Sequence, residues 1–465
     1  MAEKELIGLL GLGVFFLLLI LKARVAFAMA FTGIVGTYVL SVNVSYIRFE
    51  PYIMQYKSLL WENLANYNLS VIPLFILMGY LANYTGLAKD LFAGMNAILG
   101  RFKGGVAITS IGACAGFGAV SGSSLATAST MGKIALPELE KLNYSPRLAT
   151  GTLAAGGTLG ILIPPSIALI LYSIVVEASI IEMFQAAILP GLLAVLFFIM
   201  VIVIQVRLKP ELAPQSKPLT KEERNKALWG LIPVVLTFGS IILGLGLGLF
   251  TPTPAAAAGV FIIAMYGVYL RIKKGKGEGL TISRLKTSIL ETGVTSAMIY
   301  FILFGAEVLK GFFTRSGLPQ AIADWTSTLD MNVWLILILI LLIFLILGFF
   351  MDSMAMILVV IPFIWPVLIT LNGGEYVTAS TAGFGMDNED LKIWFGILAL
   401  ISVELGLITP PVGLNVFIIS KVAKNVPMNE TFIGVIPFLF AEIIRIGVLL
   451  LLPIIVLFMP HFLAG

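Results

Sequence analysis

Apolar runs long enough to cross a bilayer follow one another almost from end to end of the chain, with polar residues gathered in short clusters between them. A helix needs about 20 such residues to span the hydrocarbon core. Leu6 to Leu21 and Val25 to Val42 are the first two runs, joined by a tight turn holding Lys22 and Arg24. Asn43 to Asn68 mixes aromatics with single charges and fits an interfacial helix on the outer face. Val71 to Tyr84 crosses back, and further crossings are expected over 148–176, 184–206, 228–249, 255–270, 289–313, 394–419 and 432–458, ten in all. Two other runs read as re-entrant hairpins. Gly105 to Ala135 has Arg101 and Lys103 before it and Lys133 and Lys141 after it, which places both ends on one side, with Gly116 to Ser124 at the tip. Val333 to Leu371 is expected to break around Gly348, Met351-Asp352-Ser353 and Pro362.

Helix-breaking residues recur at matching places. Gly160-Ile-Leu-Ile163-Pro164-Pro165-Ser166-Ile167 has the spacing of Gly406-Leu-Ile-Thr409-Pro410-Pro411-Val-Gly413, and each is followed by a further proline, Pro190 or Pro437. Ser316-Gly317-Leu318 echoes Thr85-Gly86-Leu87 after a helix of opposite direction. Broken apolar segments at corresponding positions of two halves, inverted relative to each other, point to a solute and ion site near the membrane midplane.

Composition agrees, with 59% hydrophobic and 12% charged residues. The net charge of +4 is informative only through its placement. Lys22 and Arg24, then Arg207, Lys209, Lys217, Lys221, Arg224 and Lys226, then Arg271, Lys273, Lys274 and Lys276 mark cytoplasmic loops, which puts the N-terminus outside. A nucleic-acid partner would need a basic face on a soluble module, and none is present in the sequence. Cys114 and His461 are the sole cysteine and histidine, so disulfides, zinc sites and histidine-based catalysis in the core are not expected. Cys114 reads as a packing residue. The sequence has no Gly-x-x-x-x-Gly-Lys-Ser/Thr loop for an ATP-driven pump, and Ser-Gly-Ser-Ser without a core histidine is a poor candidate for the nucleophile-base pair of an intramembrane enzyme. Met-Ala-Glu-Lys-Glu lacks signal-peptide features, so the first apolar run is expected to remain as a helix.

A Ser-Gly-Ser-Ser hairpin tip, a Gly-Gly-Thr and Pro-Pro-Ser helix, an aspartate-bearing second hairpin and a Thr-Pro-Pro-Val-Gly-Leu-Asn helix follow in that order. This order resembles the large (M) membrane subunit of TRAP transporters, the tripartite ATP-independent periplasmic systems, over nearly the whole chain. The resemblance implies an all-α polytopic inverted-repeat fold of the ion-transporter superfamily, with an elevator domain of two re-entrant hairpins and two broken helices. It implies sodium-driven import of an acidic solute, sialic acid above other organic acids, across a bacterial inner membrane. A small four-helix Q subunit, here a separate polypeptide, and a periplasmic substrate-binding protein (P subunit) are the implied partners. On that plan, residues 1–70 and 71–104 are scaffold and arm, 105–183 the first transport half, 184–331 scaffold and second arm, 332–425 the second transport half, and 426–465 a scaffold helix.

Sodium is a hard cation that takes oxygen ligands, which hydroxyls and unwound carbonyls supply. One expected cage is Ser121, Ser123 and Ser124 with Gly156, Gly157 and Thr158; the other is Asp352 and Ser353 with Thr409, Gly413 and Asn415. Ser121, Ser166 and Thr409 are the expected solute contacts, and half-helix N-termini could receive an anion without an obvious buried arginine. Each has a plainer reading. Small residues such as Ser121 to Ser124 also serve helix packing, Asp352 could be a loop residue, and Asn83 and Asn415 could bond between helices. Glu404 could be a sodium ligand, a proton carrier or a partner of a scaffold lysine. Glu307 and Lys310 fit an ion pair, and Trp325, Trp334 and Trp394 fit interfacial anchors.

Overall fold

The computed structural model describes residues 3–214, 219–246, 248–275, 279–328 and 331–464. Lys217 and Lys276, expected in cytoplasmic loops, lie outside the described residues. The chain opens with α1 (Glu3–Ile20), α2 (Val25–Asn43) and α3 (Glu50–Ala65). Then follow α4 (Val71–Thr85), α5 (Leu87–Leu99), α6 (Gly105–Ser121), α7 (Ser124–Lys141), α8 (Pro146–Leu162), α9 (Ile167–Val176) and α10 (Ile180–Leu208). After α11 (Lys221–Trp229), α12 (Ile232–Gly246) and α13 (Pro252–Lys274) the same order returns. Its members are α14 (Ile282–Ser316), α15 (Leu318–Ser327), α16 (Val333–Leu347), α17 (Ser353–Asn372), α18 (Asn388–Gly406), α19 (Leu414–Val422) and α20 (Met428–Leu451), with α21 (Ile454–Ala464) closing the chain. The protein is an all-α polytopic membrane protein with an inverted repeat. Among the described residues, nine helices are long and apolar enough to cross a membrane, or ten if the bent pair α8 and α9 is one span.

The repeat is visible in its turns. Gly86 and Gly317 separate α4 from α5 and α14 from α15 with φ of +88° and +70°, a conformation that glycine adopts without a Cβ penalty. Both Pro-Pro bonds are cis. Proline lacks the N–H that would continue a helix, so α8 stops before Pro164 and α18 before Pro410.

Hairpin one is α6 and α7; hairpin two is α16 and α17. Their first arms lie on the long half of the broken helix of the same repeat, α6 on α8 and α16 on α18. Their second arms also reach across to the other repeat, α7 to α19 and α17 to α9, while α7 lies along α8 as well. The first contacts are made by glycines. A Cβ on Gly118 would meet the Gly160 Cα at 2.5 Å, and one on Gly406 would meet the Gly348 Cα at 2.8 Å. Backbones approach this closely only where side chains are absent.

A second group, α1, α2, α4, α13 and α14, packs among itself, and α5 and α15 bridge from it to α6 and α17. Helices α10 and α20, expected with the scaffold, pack on α8 and α18. A buried ion pair fastens them: Arg445 bonds Glu442 one turn away and donates to the Pro190 carbonyl of α10 at 3.1 Å. The chain therefore does contain a fully buried arginine, engaged within this helix pair.

Several expectations change. The first hairpin turns at Gly122 and Ser123, with α6 running on through Gly116 and Gly118, because those glycines serve packing. Pro362 and Pro366 lie inside α17 instead of breaking it. Trp394 is wholly buried and donates to the Leu449 carbonyl at 3.0 Å, so it is a core residue and no interfacial anchor. No salt bridge joins Glu307 to Lys310 among the described residues.

Candidate functional site

The turn of hairpin one is built from its own hydroxyls. Gly122, with φ of +60°, closes α6, and Ser123 caps α7 by accepting from the Ala126 amide at 3.4 Å. Ser121 Oγ lies 2.9 Å from Thr127 Oγ1. This turn faces the second helix group across a cavity of about 140 Å³. Ser121, Ser123 and Thr130 form one wall, and Tyr80, Asn83 and Thr295 of α4 and α14 the other. Tyr80 Oη and Thr295 Oγ1 are 2.9 Å apart. A larger cleft of about 860 Å³, between α5 and α7, holds Lys89 and Lys133. Ala126, Thr130, Lys133 and Pro137 recur at helical spacing on α7, so one stripe of that helix lines both spaces.

Gly156, Gly157 and Thr158 lie inside regular α8, so their carbonyls are not freed as an unwound cage requires. Gly156 faces Cys114, which is buried as a packing residue, and Gly157 faces Ala128 and Asn415. Thr158 turns its hydroxyl back to the Ala155 carbonyl at 2.7 Å. The unwinding comes later, at 163–166. Ser124 is buried and points away from the other hairpin-tip serines, donating to Glu404 at 2.5 Å.

Of the second set, Asp352 stands at the N-cap position of α17 without a side-chain cap bond, and Ser353 donates to Glu404 at 2.7 Å. Among the described residues Glu404 has no lysine partner; its donors are Ser124 and Ser353 of the two hairpins. Thr409 donates to the Leu405 carbonyl at 2.6 Å, and Gly413 opens α19 with φ of +54°. Asn415 leaves this set altogether. Its amide donates to the Ala154 carbonyl at 3.4 Å, and its buried Oδ1 has no hydrogen-bond partner. An orphaned buried oxygen beside α8 suits a cation better than it suits packing. No group of three histidine, cysteine or acidic side chains could hold a metal among the described residues, so the available donors are hydroxyl, amide and single carboxylate oxygens.

The expected solute contacts divide. Ser121 lines the hairpin cavity. Ser166 is buried as the cap of α9, accepting from the Leu169 amide, and neither it nor Thr409 reaches that cavity. Sequence reasoning missed Glu442 and Arg445. Their signal was present: two opposite charges one turn apart within an apolar run.

An inverted repeat with two re-entrant hairpins and a cavity of mixed hydroxyl and apolar lining between two helix groups defines a membrane-transporter fold. The chain belongs to the family of the DctM component of tripartite ATP-independent periplasmic transporters, whose model matches residues 12–456. It is 32% identical to the C4-dicarboxylate TRAP transporter large permease protein DctM of Pseudomonas aeruginosa, over 87% of this chain and 88% of that one. It is 28% identical to the sialic acid TRAP transporter large permease protein SiaM of Vibrio cholerae, over 86% and 88%. The crystal structure of the Alcanivorax borkumensis YdaH transporter shares the fold, with a TM-score of 0.62 at 15% identity over 96% of this chain and 97% of that one.

Proposed function

We propose that this subunit imports an acidic organic solute across a bacterial inner membrane, driven by a sodium gradient. The observation that carries this reading is the cavity at the hairpin-one turn, walled by Ser121 and Ser123 on one body and by Tyr80 and Thr295 on the other. A site shared between two bodies changes its exposure when one slides past the other. The moving body consists of both hairpins, α8, α9, α18 and α19, with α10 and α20 packed onto them; the remaining long helices are the scaffold. Oxygen donors without a convergent acidic cluster favour a monovalent hard cation, and Asn415 Oδ1 is a buried oxygen with no hydrogen-bond partner.

A four-carbon dicarboxylate is the favoured solute. The small cavity supports it, as does the greater identity to relatives named for such solutes. Sialic acid is the second reading, supported by the Vibrio cholerae SiaM relative. A small membrane subunit and a periplasmic binding protein complete the system, and the N-terminus faces the periplasm.

The test is uptake of radiolabelled succinate and of radiolabelled sialic acid into proteoliposomes, under an inward sodium gradient, with the chain alone and with both candidate partners. Saturable succinate uptake that needs all components is expected. Sialic acid uptake without succinate uptake overturns the solute assignment, and uptake by the chain alone overturns the tripartite one.

A further inference from the structure

We propose that Glu404 orients Ser124 and Ser353 as ligands for the coupling cation, one in each hairpin, an inference that rests on the sodium-driven reading above. A hydroxyl that ligates a cation must turn its hydrogen away and present its lone pairs. In a dry interior that hydrogen needs an acceptor of its own. Glu404 supplies both acceptors. Its Oε2 takes the hydrogen of Ser124, its Oε1 takes that of Ser353, and all three side chains are buried.

Ser124 and Ser353 hold equivalent places, each the first residue of the second arm of its hairpin. Glu404 has no such counterpart. Two residues before Gly406, it corresponds to Thr158, two residues before Gly160, and Thr158 spends its hydroxyl on its own helix. One carboxylate on α18 therefore serves both hairpins. The charged groups of neighbouring α20 do not replace it in this role, because Arg445 is engaged by Glu442 and the Pro190 carbonyl. A shared acceptor behind two ligands fixes their orientation and raises their basicity, as carboxylates do behind metal-bound side chains.

Glu404→Gln tests this. Glutamine accepts one hydrogen but donates at its amide, so one serine must reverse and aim its hydrogen at the cation. The half-saturating sodium concentration for uptake by the complete transporter should rise about tenfold, equivalent to about 1.4 kcal/mol. The upward shift that sodium gives to the unfolding temperature of the purified protein should weaken in parallel. A variant that is less stable without sodium but keeps wild-type sodium half-saturation overturns the inference, since that is the mark of a merely structural residue. Should Glu404→Gln not reach the membrane, Ser124→Ala, Ser353→Ala and the double variant carry the test through the same sodium-dependent unfolding shift. A shared carboxylate makes their effects non-additive, and additive effects overturn it. Wild-type protein indifferent to sodium in both assays would instead remove the sodium reading and this inference together.

Discussion

A carboxylate inside a membrane helix is expensive unless donors meet it. Glu404 is met by two serines that lie 280 and 51 residues away in the chain. That distance explains what the sequence could and could not convey. The Ser-Gly-Ser-Ser tip, Asp352 and the Pro-Pro breaks stand out as polar or helix-breaking residues in apolar surroundings. Their grouping depends on how the two repeats interlock, which no local pattern encodes, and so Ser124 and Ser353 meet at one carboxylate while Asn415 crosses to α8. Ser121 and Asp352 give separable expectations. Ser121→Ala removes a hydroxyl from the cavity wall and from Thr127; at about 1 kcal/mol for a net hydrogen bond, half-saturating solute should rise roughly fivefold. Unchanged uptake over a full concentration series would assign that serine to packing. Asp352→Ala should weaken or abolish sodium activation while the protein still folds, and wild-type sodium activation would remove it from the ion site.

At the scale of elements, hydropathy places the helices well but misjudges what glycine and proline do within them. Gly-Gly-Thr at 156–158 does not break α8, because a membrane helix keeps its backbone bonds and uses glycine for close approach. Pro362 likewise lies inside α17 without ending it, half-buried at the edge of a surface cleft that Trp365 and Pro366 also line. The turns are better marked, since Gly86 and Gly317 follow their helices at equivalent places and both adopt positive φ. Close approach predicts a contrast between two glycines. A Cβ on Gly160 would sit 2.4 Å from Thr127 Oγ1 and 2.7 Å from the Ser123 carbonyl, whereas one on Gly13 meets nothing within 4 Å. Gly160→Ala should lower stability by about 1–3 kcal/mol through overpacking. Gly13→Ala should be neutral or slightly stabilising. Thermal unfolding of both variants in detergent checks this, and equal midpoints would deny the tight seat of hairpin one on α8.

Over the whole molecule, two helix groups meet along a seam that passes the hairpin-one turn. Helix α4 approaches that turn through Gly79, whose Cβ would lie 3.1 Å from the Ser121 Cα. The Arg445, Glu442 and Pro190 contacts bind α10 to α20 on the other side of the seam, so the body proposed to move carries its own fastening. Removing one partner of a buried pair costs about 3–5 kcal/mol, and Arg445→Ala should lose that much stability. Arg147 and Glu430, which join α8 to α20 at an exposed position, should matter little and less in high salt. Sliding at the seam predicts that a Gly79→Cys, Ser121→Cys pair, made in a Cys114→Ala background, stops uptake when oxidised and regains it on reduction. Transport that persists through a verified cross-link would contradict a moving hairpin body.

The most direct test of sodium-driven import is solute accumulation in vesicles holding the complete transporter, with the sodium gradient set inward, absent or outward and the membrane potential held constant. Concentrative uptake is predicted only with the inward gradient, falling to equilibration without one and to net efflux from loaded vesicles when it is reversed. Accumulation that ignores the direction of the sodium gradient would contradict sodium coupling.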